Sequence, residues 1–178
     1  GRKAIGYMPV YVPREIVHAA GMLPVGILGG GDSLEVIQGD AYYQSYICRI
    51  PRSTIELGLT GRLDGLDGML FPSICDVIRN LSGMWQILFK DKYVRYIDVP
   101  QNFQDEVGGR FYIEEMQILR DDLARLAGRP ITDEDLNAVM ARLGMKEGFD
   151  VGLEMSGVHA AFDQMLDHLV VGGRVALL

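Results

Sequence analysis

The chain has 178 residues, enough for one well-buried domain and too few for two full-sized ones. Its composition, 48% hydrophobic and 23% charged, is typical of a globular protein. The net charge of −7 argues against a nucleic-acid-binding face, since phosphate contacts demand clustered lysine and arginine. The longest apolar runs fall far short of the ~20 residues of a membrane span.

Both ends of the sequence look cut. Gly1 is not an initiator methionine, no apolar stretch of signal-peptide length follows it, and the last residues form an apolar run. Two cysteines do not make a secreted disulfide scaffold, so we expect a cytoplasmic protein with reduced thiols.

Predicted strands and helices alternate along the chain. Short apolar runs that end at glycine, proline or polar residues predict strands at 3–7, 23–28, 68–71, 93–99, 149–154 and 174–178. Capping residues and amphipathic periodicity predict helices at 13–20, 51–59, 73–89, 109–127, 132–143 and 158–170. This alternation is typical of an α/β fold with a mainly parallel sheet.

Two cysteines lie in similar settings, each near the start of a predicted helix. Cys48 precedes the helix at 51–59, and Cys75 lies at a strand-to-helix turn. A helix N-terminus favours the thiolate, the form that ligates iron or attacks an electrophile. Three nearby arginines would add to this effect: Arg49, Arg52 and Arg79. By spacing alone, however, the cysteines match no CxxC-type pattern, and small buried thiols are the more usual case.

Three blocks of sequence give these cysteines a context. They are residues 6–25, residues 40–42 with the segment 44–53 around Cys48, and residues 66–72 with the segment 75–81 that begins at Cys75. In this order, over residues 1 to about 136, they resemble the 2-hydroxyacyl-CoA dehydratase and benzoyl-CoA reductase family. The likeness is greatest to the small iron–sulfur subunits of ATP-dependent benzoyl-CoA reductases.

The resemblance implies a Rossmann-like three-layer fold and a [4Fe–4S] cluster held by three cysteines, with Cys48 and Cys75 as the first two ligands. In the family the third ligand comes from the C-terminal half, and this chain has no further cysteine. The implied function is delivery of low-potential single electrons to benzoyl-CoA or a 2-hydroxyacyl-CoA thioester. The implied partners are a homologous iron–sulfur subunit and an ATP-hydrolysing activator. We expect no activity from the chain alone.

Other residues near the cysteines each allow two interpretations. His18 could act as a general acid or base, or could be a structural residue on its helix. Asp76 and Arg79, three apart on one predicted helix, could pair with each other or surround a cluster. Three tyrosines could line an aromatic pocket or pack half-buried with wet hydroxyls: Tyr42, Tyr43 and Tyr46.

Residues 137–178 predict a βαβ unit with a turn at Ser156-Gly157. Residues 139–157, 161–167 and 172–178 resemble part of the NAD-binding domain of zinc-dependent L-threonine 3-dehydrogenases. The likeness implies that Ser156-Gly157 lies near the nicotinamide side of NAD. The sequence has neither a GxGxxG fingerprint nor a catalytic-zinc ligand set, so we expect no dehydrogenase activity. The sequence therefore predicts two parts, residues 1–136 and 137–178. The alternatives to an iron–sulfur subunit are an NAD-dependent threonine dehydrogenase fragment and a chimeric chain without activity of its own.

Overall fold

The computed structural model describes residues 1–102 and 104–145, and the backbone of 149–154 and 169–177. It contains two compact units, Gly1–Leu136 and Asn137–Leu178, and each is described by itself. The strands of the first unit are β1 (Ala4–Tyr7), β2 (Leu23–Gly26), β3 (Gly68–Pro72) and β4 (Tyr93–Ile97). The helices are α1 (Arg14–Ala19), α2 (Arg49–Leu59), α3 (Asp76–Leu88), α4 (Arg110–Ala127) and α5 (Asp133–Leu143). Two short turns complete the set, a 3₁₀ turn at Gly39–Ala41 and a π turn at Asp105–Gly109.

The four strands of the first unit form one parallel sheet in the order β2-β1-β3-β4. Parallel neighbours need crossover connections, and α1, α2 and α3 supply them in turn. Helix α2 contacts α3, and α1 contacts α4. The structure thereby confirms the predicted α/β fold with a parallel sheet and agrees with a three-layer arrangement.

The hydrophobic core is centred on β3, whose five residues are all buried. Phe71 packs on Trp85 of α3 with ring centroids 5.7 Å apart, and Trp85 packs on Phe89 at 4.5 Å. Gly58 lets α2 approach these rings, because a Cβ at this position would lie 2.7 Å from the Trp85 ring. We call the buried group around these rings the core cluster: Met8, Ile27, Ile55, Met69, Phe71, Ile78, Leu81 and Trp85.

Two helices begin more than one residue away from the predicted positions. Helix α2 begins at Arg49 rather than at residue 51, which makes Cys48 its N-cap. Helix α3 begins at Asp76 rather than at residue 73, which makes Cys75 its N-cap. The delay has a local cause, since the Ser73 N–H donates to the Ile97 carbonyl at 2.9 Å and so continues the pairing of β3 with β4.

The second unit contains a parallel pair of strands, β5 (Phe149–Glu154) and β6 (Leu169–Leu177). Strand β5 has the predicted bounds. The predicted final strand is wrong at its start, because β6 takes in Leu169 and Val170, which the sequence pattern assigns to the preceding helix. The apolar run Leu169-Val170-Val171 explains the difference, since valine favours the extended chain. The rest of that helix, residues 158–168, and the turn Ser156-Gly157 lie outside the described residues.

Across the described ranges, no helix has both the length and the apolar character needed to cross a membrane.

Candidate functional site

Both cysteines lie at the carboxyl edge of the parallel sheet, where α/β proteins commonly bind ligands. Cys75 follows the carboxyl end of β3 directly. Cys48 reaches the same edge through α2, whose first turns lie beside the chain that leaves β2: the Gly30 N–H donates to Ser53 Oγ at 3.1 Å. Both thiols are exposed and free of disulfides. The interpretation of the cysteines as buried packing residues is therefore wrong.

The long connection from β2 to α2, residues 27–48, is called the Cys48 segment here. Arg49 holds its first half by donating to the carbonyls of Gly31 and Asp32, each at 3.3 Å, and to that of Leu34. These carbonyls belong to a glycine-rich stretch with no helix or strand of its own. The Arg49 guanidinium thus fixes backbone conformation, a role that the sequence analysis does not predict.

Arg52 holds the second half of the Cys48 segment. Its guanidinium forms a two-nitrogen contact with Asp40 Oδ1, at 2.8 and 2.6 Å. It also donates to the carbonyls of Ser45 and Ile47 at 3.3 and 3.4 Å. The planar guanidinium presents five donors in a rigid fork, which suits contacts with several acceptors at fixed positions. Arg52, like Arg49, therefore anchors the backbone that leads into Cys48.

Glu56 is a buried carboxylate that sequence analysis missed. Its side chain is 3% exposed, and its Oε2 accepts hydrogen bonds from the backbone N–H groups of Ile37 at 3.1 Å and Gly39 at 2.7 Å. A buried carboxylate is stable only when hydrogen-bonded or paired, and these donors satisfy that need. The sequence does contain a signal for this residue, since the glutamate follows Ile55 on the inner face of an amphipathic helix.

The Cys75 turn, residues 73–75, is held by the neighbouring strand. Ser73 Oγ accepts a hydrogen bond from the Val99 N–H at 2.7 Å. The Cys75 carbonyl accepts from the N–H groups of Ile78 and Arg79 at 3.1 and 3.2 Å, which closes the first turn of α3. The thiol is therefore placed by the ends of β3 and β4 and the start of α3.

An open cleft of about 530 Å³ lies beside the Cys75 turn. Its lining includes Cys75, Arg79, Tyr96, Asp98 and Phe111. The Arg79 guanidinium lies 5.6 Å from the centre of the Tyr96 ring, and interaction with Tyr96 raises the pKa of this exposed arginine. Within the described residues Arg79 forms no ion pair with Asp76, which leaves the guanidinium over Tyr96 in the cleft.

Tyr43 lies five residues before Cys48 and packs into the first unit. Its ring is half-buried and packs against the core cluster. Its hydroxyl is buried and has no hydrogen-bond partner in the described part of the chain. Burial raises the pKa of Tyr43, and negative charge at Cys48 and then at Cys75 raises it further.

The other two tyrosines of the predicted aromatic pocket are exposed. Tyr42 is 39% exposed and Tyr46 is 80% exposed. Tyr43, by contrast, is half-buried and its hydroxyl is buried. The structure therefore does not assemble an aromatic pocket from all three side chains.

His18 lies away from both cysteines. It occupies the last turn of α1 and is half-buried, and its carbonyl accepts from the Gly21 N–H at 2.9 Å. The chain then enters β2 at Leu23, whose N–H bonds to the Lys3 carbonyl at 2.9 Å, at the amino end of the sheet. The position of His18 favours the structural interpretation over a role in acid–base chemistry at the cysteines.

The residues present fit part of an iron–sulfur ligand set. Clusters with four irons are commonly held by four thiolates, and this chain supplies two. Among the described residues, no three His, Cys, Asp or Glu side chains gather in a way that could hold a metal ion. Any cluster at this edge of the sheet would need ligands from outside the chain.

Comparison with known proteins agrees with the predicted resemblances. The family model for the 2-hydroxyglutaryl-CoA dehydratase D-component matches residues 9–146. A benzoyl-CoA reductase subunit from Thauera aromatica is 72% identical over 137 residues, which are 77% of this chain and 36% of the relative. The beta subunit of (R)-2-hydroxyglutaryl-CoA dehydratase from Acidaminococcus fermentans is 38% identical over 135 residues, 75% of this chain and 35% of the relative.

A second, short likeness points to another family. L-threonine 3-dehydrogenase of Ruegeria pomeroyi is 62% identical over 48 residues, 27% of this chain and 14% of the relative. The chain thus spans about a third of the length of the reductase and dehydratase subunits and a smaller share of the dehydrogenase. Because the family model covers most of the sequence, the chain belongs to the 2-hydroxyglutaryl-CoA dehydratase D-component family.

Proposed function

We propose that the chain is part of an iron–sulfur subunit of an acyl-CoA reductase or dehydratase, and that Cys48 and Cys75 are two ligands of its [4Fe–4S] cluster. The observation that carries the proposal is the placement of two free, exposed thiols at the N-termini of the contacting helices α2 and α3. When bound, such a cluster supplies low-potential single electrons to benzoyl-CoA or a 2-hydroxyacyl-CoA thioester.

The residues of this chain prepare the two thiols for ligation. Each thiol is exposed at the N-cap of its helix, where an incoming metal can reach it. Arg49, Arg52 and Glu56 fix the segment before Cys48, and Ser73 fixes the turn before Cys75. Fixed ligands lose little conformational freedom when a metal binds, which increases affinity.

Partners and compartment follow from the same proposal. The missing ligands come from protein outside this chain, and the matched relatives are themselves named as subunits. We propose a homologous iron–sulfur subunit and an ATP-hydrolysing activator as partners. The two unpaired thiols support a reducing, cytoplasmic location.

Anaerobic reconstitution tests the proposal. The full chain is incubated with iron, sulfide and excess low-molecular-weight thiol, which can complete a partial ligand set. Iron per chain and visible thiolate-to-iron absorption are then measured. We expect iron binding in the wild-type chain and its loss in Cys48→Ser and in Cys75→Ser.

Ser45→Ala is the matched control, since it removes a hydroxyl from the same segment and keeps both thiols. It should bind as much iron as the wild-type chain. The proposal is refuted if the wild-type chain binds no iron, or if the double Cys→Ser variant binds as much as the wild type.

A second candidate, a nicotinamide-binding remnant, is favoured by the short threonine dehydrogenase match and by the parallel pair β5 and β6. Titration of the full chain with NAD to millimolar concentration tests it. Saturable binding would support this candidate, and its absence would leave the C-terminal unit as the acquired part of a chimeric chain without NAD chemistry.

A further inference from the structure

We draw no further inference here: the strongest candidate, the patch of apolar side chains exposed at the carboxyl edge of the first unit's sheet, which includes Leu28, Ile74 and Phe111, carries no proposal because nothing in the described part of the chain shows what covers it.

Discussion

The Cys48 segment and the Cys75 turn bring their thiols to the same edge of the sheet by different means. The Cys75 turn follows a fully buried strand directly, and its backbone continues the pairing of β3 with β4. The Cys48 segment is long, and three polar side chains of α2 hold it by hydrogen bonds. The sheet therefore places Cys75, whereas the position of Cys48 depends on Arg49, Arg52 and Glu56.

The largest expected effect comes from Glu56→Ala. This change removes the acceptor of the Ile37 and Gly39 N–H groups, and the second of these hydrogen bonds is buried. Two unsatisfied backbone donors cost about 2–4 kcal/mol of unfolding free energy. Urea denaturation measures this loss, and alkylation of the native chain should become faster at Cys48 and stay unchanged at Cys75.

Glu35→Ala is the control for this experiment, because Glu35 is an exposed glutamate of the same segment. It should leave both the stability and the alkylation rates at their wild-type values. Equal acceleration at Cys48 and Cys75 in Glu56→Ala would break the comparison, since it would mean that the two thiols are held by one common structure.

Arg52→Met should have a smaller effect in the same direction. Methionine keeps an apolar stem but loses the contacts with Asp40 and with the carbonyls of Ser45 and Ile47. Because these acceptors are partly exposed and can bind water instead, the expected cost is about 1–2 kcal/mol. Thermal or urea unfolding gives the number.

Asp40→Asn separates the contribution of the ion pair with Arg52 from that of the carbonyl contacts. The amide oxygen still accepts from Arg52, so stability should fall by less than in Arg52→Met. A loss in Asp40→Asn as large as that in Arg52→Met would show that the ion pair, and not the carbonyl contacts, holds the second half of the Cys48 segment.

Ser73→Ala tests the Cys75 turn in the same way. The Val99 N–H loses its acceptor, but the Ser73 N–H still donates to Ile97, and the β3–β4 pairing stays. We expect a loss of about 1 kcal/mol in urea denaturation and little change in Cys75 alkylation. Ser45→Ala, a change in an exposed serine, is the control and should leave stability unchanged. Much faster alkylation of Cys75 in Ser73→Ala would show that one hydroxyl, rather than the sheet, positions this thiol.

The difference between the Cys75 turn and the Cys48 segment also explains which features could be predicted from the sequence. Apolar runs and proline or glycine stops mark β3 and its neighbours, so the turn at Cys75 could be placed to within a few residues. Sequence distance alone predicts that Arg49 and Arg52 act on a thiolate. The structure adds hydrogen-bond acceptors for both arginines that lie 5 to 18 residues away along the chain, in a segment without periodicity. Contacts of this kind follow from tertiary packing and leave no local signal.

The smallest expected effect is a pH dependence at the amino end of the β3–β4 pair, the end opposite to the Cys75 turn. Tyr93 of β4 donates to Asp122 of α4 at 2.8 Å, and burial, followed by this hydrogen bond, raises the pKa of Tyr93. The folded state thus holds the phenol proton more tightly than the unfolded chain, whose tyrosines titrate near pH 10. The resulting stability is complete below about pH 10 and is lost as the pH rises further.

The unfolding free energy of the wild-type chain should therefore fall between about pH 8 and about pH 11, and this fall should be smaller in Tyr93→Phe. Urea unfolding at the two pH values measures both falls. The fall does not vanish, because Tyr43 also has a raised pKa and remains in the variant. Tyr46→Phe removes an exposed hydroxyl and should keep the wild-type difference. If Tyr93→Phe also keeps it, the contact between Tyr93 and Asp122 adds no pH-dependent stability to β4.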